Sequence, residues 1–177
     1  MKITDIKATA HHIEVPLPLF KVNVITRRIV FVEVHTDEGI TGIGLTGGQF
    51  LPWSVVAAIE KDFKDLLVGM DPRDTEAIHE KVWWALNMRS FTGVVSFALS
   101  AIDIACWDIK GKATGRTVPQ LLGGYRDWAP IYVTFGFPVY DREQPAEAAK
   151  IQDDKGIERL KMVVGVNEGG WAEDARR

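Results

Sequence analysis

From residue 94 to residue 109 the chain reads VVSFALSAIDIACWDI, and nearly every position is apolar. A helix that is hydrophobic on all sides has to be covered over most of its surface, so this stretch predicts a central helix. Its polar residues Ser96, Ser100 and Asp103, with Lys110 just beyond, follow helical spacing and fall on one stripe. A buried carboxylate left unpaired is costly, so Asp103 needs a partner. The plain reading is a structural carboxylate that fixes an inter-domain contact. Gly115 supplies the left-handed stop of the helix. Val118-Pro119-Gln120-Leu121-Leu122 then reads as one short amphipathic turn, closed by Gly123 and Gly124.

Upstream, the pattern is that of strands followed by helices. Ile3, Ile6 and Ala8 mark a first strand over residues 3–15, broken by Pro16 and Pro18, which restrict their predecessors and cannot donate to a ladder. His11 and His12 are adjacent on that strand and point to opposite faces, so they do not form a ligand pair. Residues 28–45 predict a hairpin. Val30, Val32 and Val34 share one face, Thr36-Asp37-Glu38-Gly39 makes the turn, and Gly42 and Gly44 in alternate positions of the return strand mark a bend or the close approach of another backbone.

Apolar residues then recur at threes and fours from 53 to 70, an amphipathic helix. Asp71 and Pro72 read as the N-cap and first position of a second helix, whose apolar face is Ile78, Val82 and Leu86. Trp83 and Trp84 beside that face are expected to pack rather than to stack on a substrate. Beyond Gly124 come a short apolar run at residues 131–135, a helix opening at Pro145, a second run at residues 160–164 and a helix start at residues 169–174. Strand, helix, strand with short connections opens a parallel α/β arrangement. In residues 160–164 alternation puts Leu160, Met162 and Val164 on one face and Lys161 and Val163 on the other. A lysine on the inner side of such a strand needs a charged partner or a lowered pKa.

Composition changes little. The 177 residues are 46% hydrophobic and 25% charged, ordinary globular material. With a formal net charge of -3 and no basic cluster, no nucleic-acid partner is expected. No apolar run is long enough to span a bilayer and no signal peptide is evident, so a cytoplasmic location is expected. The single cysteine, Cys106, allows neither a disulfide framework nor a cysteine-based metal site. Gly47-Gly48 has no phosphate-loop spacing around it.

The run A-x-S-A-I-D-x-A-x-W-D-x-x-G-K at residues 98–112, followed by V-P-x-L-L-G-G at 118–124, resembles the signature of the mandelate racemase and muconate lactonizing enzyme group of the enolase superfamily. T-D-E-G-I-T-G-I-G at 36–44 resembles the second and third strands of the same family. Cys106 and Thr117 depart from the usual residues. The resemblance implies an α+β capping domain at residues 1–128, a three-stranded antiparallel sheet plus helices, followed at residues 129–177 by the first strands of a truncated (β/α) barrel.

It also implies that the loop after the first strand shapes the substrate pocket, with Phe20, Lys21 and Asn23 as candidate contacts and Gln49 as a further one from a second loop. For each, an ordinary surface loop or turn is the alternative. Family members often carry K-x-K on the second barrel strand, one lysine neutralising the substrate carboxylate and the next removing the adjacent proton. Lys161 matches the first; Val163 stands where the base would be, and valine cannot take a proton. Lys161 is thus either the catalytic-site cation or a structural lysine.

The resemblance implies chemistry by way of an enolate, with Mg²⁺ held by carboxylates in the part of the barrel not present here. The whole enzyme is then expected to be an acid-sugar dehydratase, acting on a small carboxylate such as a sugar acid and forming a homo-oligomer. This chain alone is expected to be inactive without the remaining barrel polypeptide. A racemase, epimerase or cycloisomerase of the same group, and a non-catalytic binding or assembly member, are the alternatives.

Overall fold

The computed structural model describes residues 1–20, 25–47, 51–90, 92–165 and 168–176, residues 87–90 by backbone alone. Lys21, Asn23 and Gln49 therefore lie outside the described residues. The chain divides into two compact units. One comprises Met1–Ile13 and Arg27–Asp127, the other Glu14–Thr26 and Trp128–Arg177.

β1 (Ile3–Val15), β2 (Ile25–Thr36) and β3 (Thr41–Thr46), which but for the last two residues of β1 and the first two of β2 belong to the first unit, form a sheet in the order β1-β2-β3. β2 and β3 are antiparallel, with Val32 opposite Gly44 and Val34 opposite Gly42. The turn between them is closed by Thr36, whose hydroxyl donates to the carbonyl of Ile40 at 2.8 Å and accepts its N–H at 3.1 Å. Gly39 supplies a φ of 76° there. Val30, Val32 and Val34 are fully buried on the inner face.

The long helix α4 (Val94–Thr114) lies against β3 and ends at Gly115 with φ 66°, and the short α5 (Val118–Leu121) follows it. Its buried positions include Ala98, Ala101, Ile102, Ala105, Cys106, Ile109 and Gly111. A Cβ at Gly44 would land on the carbonyl oxygen of Ala101, and one at Gly42 on that of Ala105. The alternate glycines thus mark the close approach of a second backbone, and the sheet-to-helix distance is set by main chain rather than by side chains. Between Val94 and Ile109 most of α4 is covered, although Phe97 and Ile104 are 44% and 46% exposed. Both lie to one side of the Ala101 and Ala105 stripe that meets β3.

A run of helix follows β3, made of α1 (Pro52–Ala57), a π-helical turn at Ala58–Phe63 and α2 (Lys64–Leu67). Val55, Ile59, Phe63 and Leu67 are all fully buried and stand four residues apart. On a regular α-helix each such step rotates the side chain by about 40°, so the four would drift off one face. The wider π turn removes part of that drift.

α3 (Thr75–Ser90) buries Ile78 and Val82. It begins three residues later than Asp71 and Pro72 suggest, because Asp71 is taken up locally. Its carboxylate accepts from the Arg73 backbone N–H at 2.9 Å and from the Arg73 guanidinium at 2.6 Å. Trp83 and Trp84, expected to pack, are 46% and 73% exposed. One and two residues past Val82 they are rotated about 100° and 200° away from the buried stripe.

Both outer strands of the sheet have part of their free edge occupied. On β3 the N–H of Ile43 donates to Asp108 at 2.8 Å, and Lys112 donates to the carbonyl of Thr41 and to Asp108, each at 2.7 Å. On β1 the N–H of Ala8 donates to Glu60 at 3.2 Å, while Ile3 exchanges backbone bonds with Gly69 and Met70.

Two outcomes follow for stability. Gly44→Ala forces β3 away from α4 and is expected to cost about 2–3 kcal/mol, read as a lower urea midpoint; Gly39→Ala, which meets no neighbour, bears only its backbone strain. The Arg73 guanidinium holds the Asp71 carboxyl down at about 2. Its contribution is therefore complete above the ordinary carboxylate value and lost as pH falls through about 2. Urea unfolding between pH 4 and pH 2 is expected to show a loss of stability that Asp71→Asn reduces.

Candidate functional site

The second unit contains β4 (Val133–Phe135), α6 (Gln144–Asp153), β5 (Leu160–Met162) and α7 (Gly170–Asp174). β4 and β5 are parallel, with Val133 opposite Leu160, Thr134 opposite Lys161 and Phe135 opposite Met162. The flanking residues extend the pairing, since Val133 donates to Arg159 and Val163 to Phe135 through their backbones, at 3.1 and 3.0 Å. A parallel pair needs a crossover, and α6 supplies it, burying Pro145 and Ala148. This β4-α6-β5 unit fits the start of a (β/α) barrel.

Pleating puts Thr134 and Lys161 on one face of the pair, and by the same alternation Tyr132 and Val163. Lys161 is exposed, and its Nζ lies 5.4 Å from the centre of the Tyr132 ring, within the range where a ring face attracts a cation. Leu160 is on the other face. The face that carries Lys161 therefore presents one ammonium, one hydroxyl, one phenol and, at Val163, an apolar side chain.

The carboxyl ends of the strands are where barrel enzymes place their loops, and here those ends are braced. Gly165 donates its N–H to Asp174 at 2.6 Å. Arg142 forms two parallel bonds to Glu173, at 2.7 and 2.8 Å. The connection leaving β4 carries Tyr140, which packs on Phe20 with ring centres 5.1 Å apart and donates its hydroxyl to the carbonyl of Pro18 at 3.0 Å. Phe20 and Lys161 thus belong to one unit but to different places in it, Phe20 at the loop after β4 and Lys161 on β5. Sequence reasoning missed Tyr132 and Tyr140. The alternation of Ile131-Tyr132-Val133-Thr134 could have placed the first beside Lys161; nothing local marks the second.

In the first unit Asp103 finds its partner in His79, Nε2 to Oδ1 at 3.1 Å. Both residues belong to that unit, so the pair joins α3 to α4 and is not an inter-domain contact. Lys110 stands 4.4 Å from the ring centre of Trp107. His11 takes up Thr9 at 2.8 Å and meets Phe31 edge-on. A hollow of about 600 Å³ beside α4 is lined by Ile43, Ile104, Trp107, Val118 and Leu122.

Among the described residues no group of three or more His, Cys, Asp or Glu is placed to hold a metal ion. The Mg²⁺ that the family resemblance implies therefore finds no ligand set here. No helix among them is long and apolar enough to cross a membrane.

A small antiparallel sheet backed by α4, followed by a parallel β-α-β unit, defines the capping domain and barrel start of an enolase-type protein. Residues 3–123 match the profile described as mandelate racemase / muconate lactonizing enzyme, N-terminal domain, and the chain belongs to that family. It is 33% identical over 150 residues to the L-talarate/galactarate dehydratase of Salmonella typhimurium, covering 84% of this chain and 37% of that protein. To the N-succinyl-L-Arg/Lys racemase of Bacillus cereus it is 34% identical over 156 residues, covering 84% of this chain and 39% of the relative. The dipeptide epimerase of Enterococcus faecalis, solved with Mg and the dipeptide L-Leu-L-Tyr, superposes with a TM-score of 0.83 at 27% identity, over 100% of this chain and 49% of the other. The chain spans less than half the length of these relatives, which include acid-sugar dehydratases, cycloisomerases and racemases.

Cys106 is fully buried on α4. Burial, with the nearby Asp103 charge adding to it, pushes its thiol up to about 12. In the native chain at pH 8 the thiol is expected to resist a disulfide reagent such as DTNB, and to react once urea unfolds the protein.

Proposed function

We propose that residues 1–177 are the N-terminal portion of a Mg²⁺-dependent acid-sugar dehydratase, a lyase that removes the proton beside a carboxylate and then expels water from the neighbouring carbon. Residues 1–128 serve as its capping domain and residues 129–177 as the first strands of its barrel. Lys161 is the group that this chain contributes to the chemistry. Its ammonium pairs with the substrate carboxylate and makes the adjacent proton easier to remove. Phe20, Lys21, Asn23 and Gln49 are its candidate substrate contacts. The metal ligands and the base belong to barrel strands outside these residues, and the enzyme works in the cytoplasm as a homo-oligomer.

The single observation that carries this reading is Lys161 on the open face of β5 with Val163 two residues on. A racemase needs a proton acceptor on each side of the substrate carbon, and valine supplies none on this side. Elimination needs only the base on the far side. The kinship with sugar-acid dehydratases supports the same choice. The second reading, a non-catalytic member of the fold, rests on the same valine.

The test is an assay of the assembled enzyme, these residues together with a complete barrel, on galactarate, L-talarate, D-galactonate and D-mannonate, with formation of the 2-keto-3-deoxy acid as readout. One of these acids is expected to be dehydrated, with no inversion of the recovered substrate. Lys161→Ala is expected to lower kcat/KM by about a hundredfold or more. Dehydration unaffected by that change removes Lys161 from the site, and inversion of configuration replaces the dehydratase with a racemase. No turnover of any acid by the assembled enzyme favours the non-catalytic reading.

A further inference from the structure

Tyr140 lies in the connection from β4 to α6, preceded by Phe137-Pro138-Val139 and followed by Asp141 and Arg142, yet it is only 4% exposed. Connections usually run over the surface, so a buried aromatic in one points to something lying on top of it. Here that is the segment at residues 16–20. The Tyr140 hydroxyl donates to the carbonyl of Pro18 at 3.0 Å, and its ring meets that of Phe20 at 5.1 Å with the planes tilted by 51°. Between those two attachment points Leu19 has a φ of 73°. This left-handed conformation is disfavoured for a side chain that branches and offers no local hydrogen bond. Phe20 then folds back so that its N–H reaches the carbonyl of Leu17 at 3.3 Å. Unfavourable backbone persists where its surroundings hold it, and the two contacts of Tyr140 fall on either side of Leu19. Burial also raises the phenol above its ordinary value.

We propose that Tyr140 is a positioning residue, whose hydroxyl and ring together clamp residues 17–20 against the carboxyl end of β4 and fix where Phe20 is presented to a small carboxylate substrate. The clamp rests on contacts within one unit of the chain. That Phe20 meets a substrate rests on the function proposed above.

Amide hydrogen exchange of the 177-residue chain, without substrate, tests the clamp. Tyr140→Phe keeps the ring and loses the donor, and is expected to speed exchange at Phe20 about fivefold, the equivalent of one ordinary hydrogen bond. Protection at Val32 and Ile102 is expected to stay as in the wild type. Tyr140→Leu, which also loses the ring, is expected to exceed that effect. Leu19→Asn added to Tyr140→Phe is expected to bring Phe20 back to within about twofold of wild type, because asparagine tolerates the left-handed backbone. Unchanged protection at Phe20 in both Tyr140 variants overturns the proposal. So does a loss shared equally by Val32 and Ile102, or a failure of Leu19→Asn to restore protection. Since exchange is read without substrate, a failed clamp is distinguishable from a failed dehydratase reading, which the acid-sugar assay decides.

Discussion

The approach of α4 to β3 is the constraint on which the first unit depends. Two glycines on the strand and two alanine carbonyls on the helix bring main chain against main chain, a distance that any larger side chain at Gly42 or Gly44 would increase. The rest of the core is sized to that spacing. Val30, Val32 and Val34 of β2 and Ile102 and Ile109 of α4 fill the space the small residues leave, and Val55, Ile59, Phe63 and Leu67 are buried in the same core. Interiors packed at crystal-like density have little slack, so the glycine positions constrain the packing of the side chains around them.

The second unit is governed by a different constraint, the pairing of two short parallel strands. Three-residue strands hold few ladder bonds, and the unit adds polar braces at their carboxyl ends, where Arg142 meets Glu173 and Asp174 meets Gly165. Those braces leave the face bearing Lys161 and Tyr132 open. The arrangement separates what orders the strands from what the strands present.

Much of this was legible in the chain because period and punctuation agreed. The hairpin at Thr36 to Gly39, the alternate glycines of β3, the stop at Gly115 and the parity of Lys161 all follow from side-chain alternation or from glycine's backbone freedom. Trp83 and Trp84 misled because size suggests burial while their helical angle points them outward. The π turn is invisible to a pattern that reads threes and fours alike. The capping box in which Thr117 and Gln120 satisfy each other's backbone has the right spacing in the sequence, but a four-residue helix offers too little periodicity to draw attention to it. Of the site, Lys161 could be placed by alternation, whereas its proposed role came from kinship. Tyr140 was out of reach, because its partners at Pro18 and Phe20 are more than a hundred residues away in a segment without regular period.

A sheet of three strands ordinarily offers two rows of open peptide groups through which further strands can add. In this chain Asp108 and Lys112 occupy part of one row and Glu60, Gly69 and Met70 part of the other. Growth of the sheet by recruitment of another chain's strand is thereby discouraged at both rims. At those positions the backbone's bonding capacity is already spent within the chain, and what the rims present instead is charged side chain.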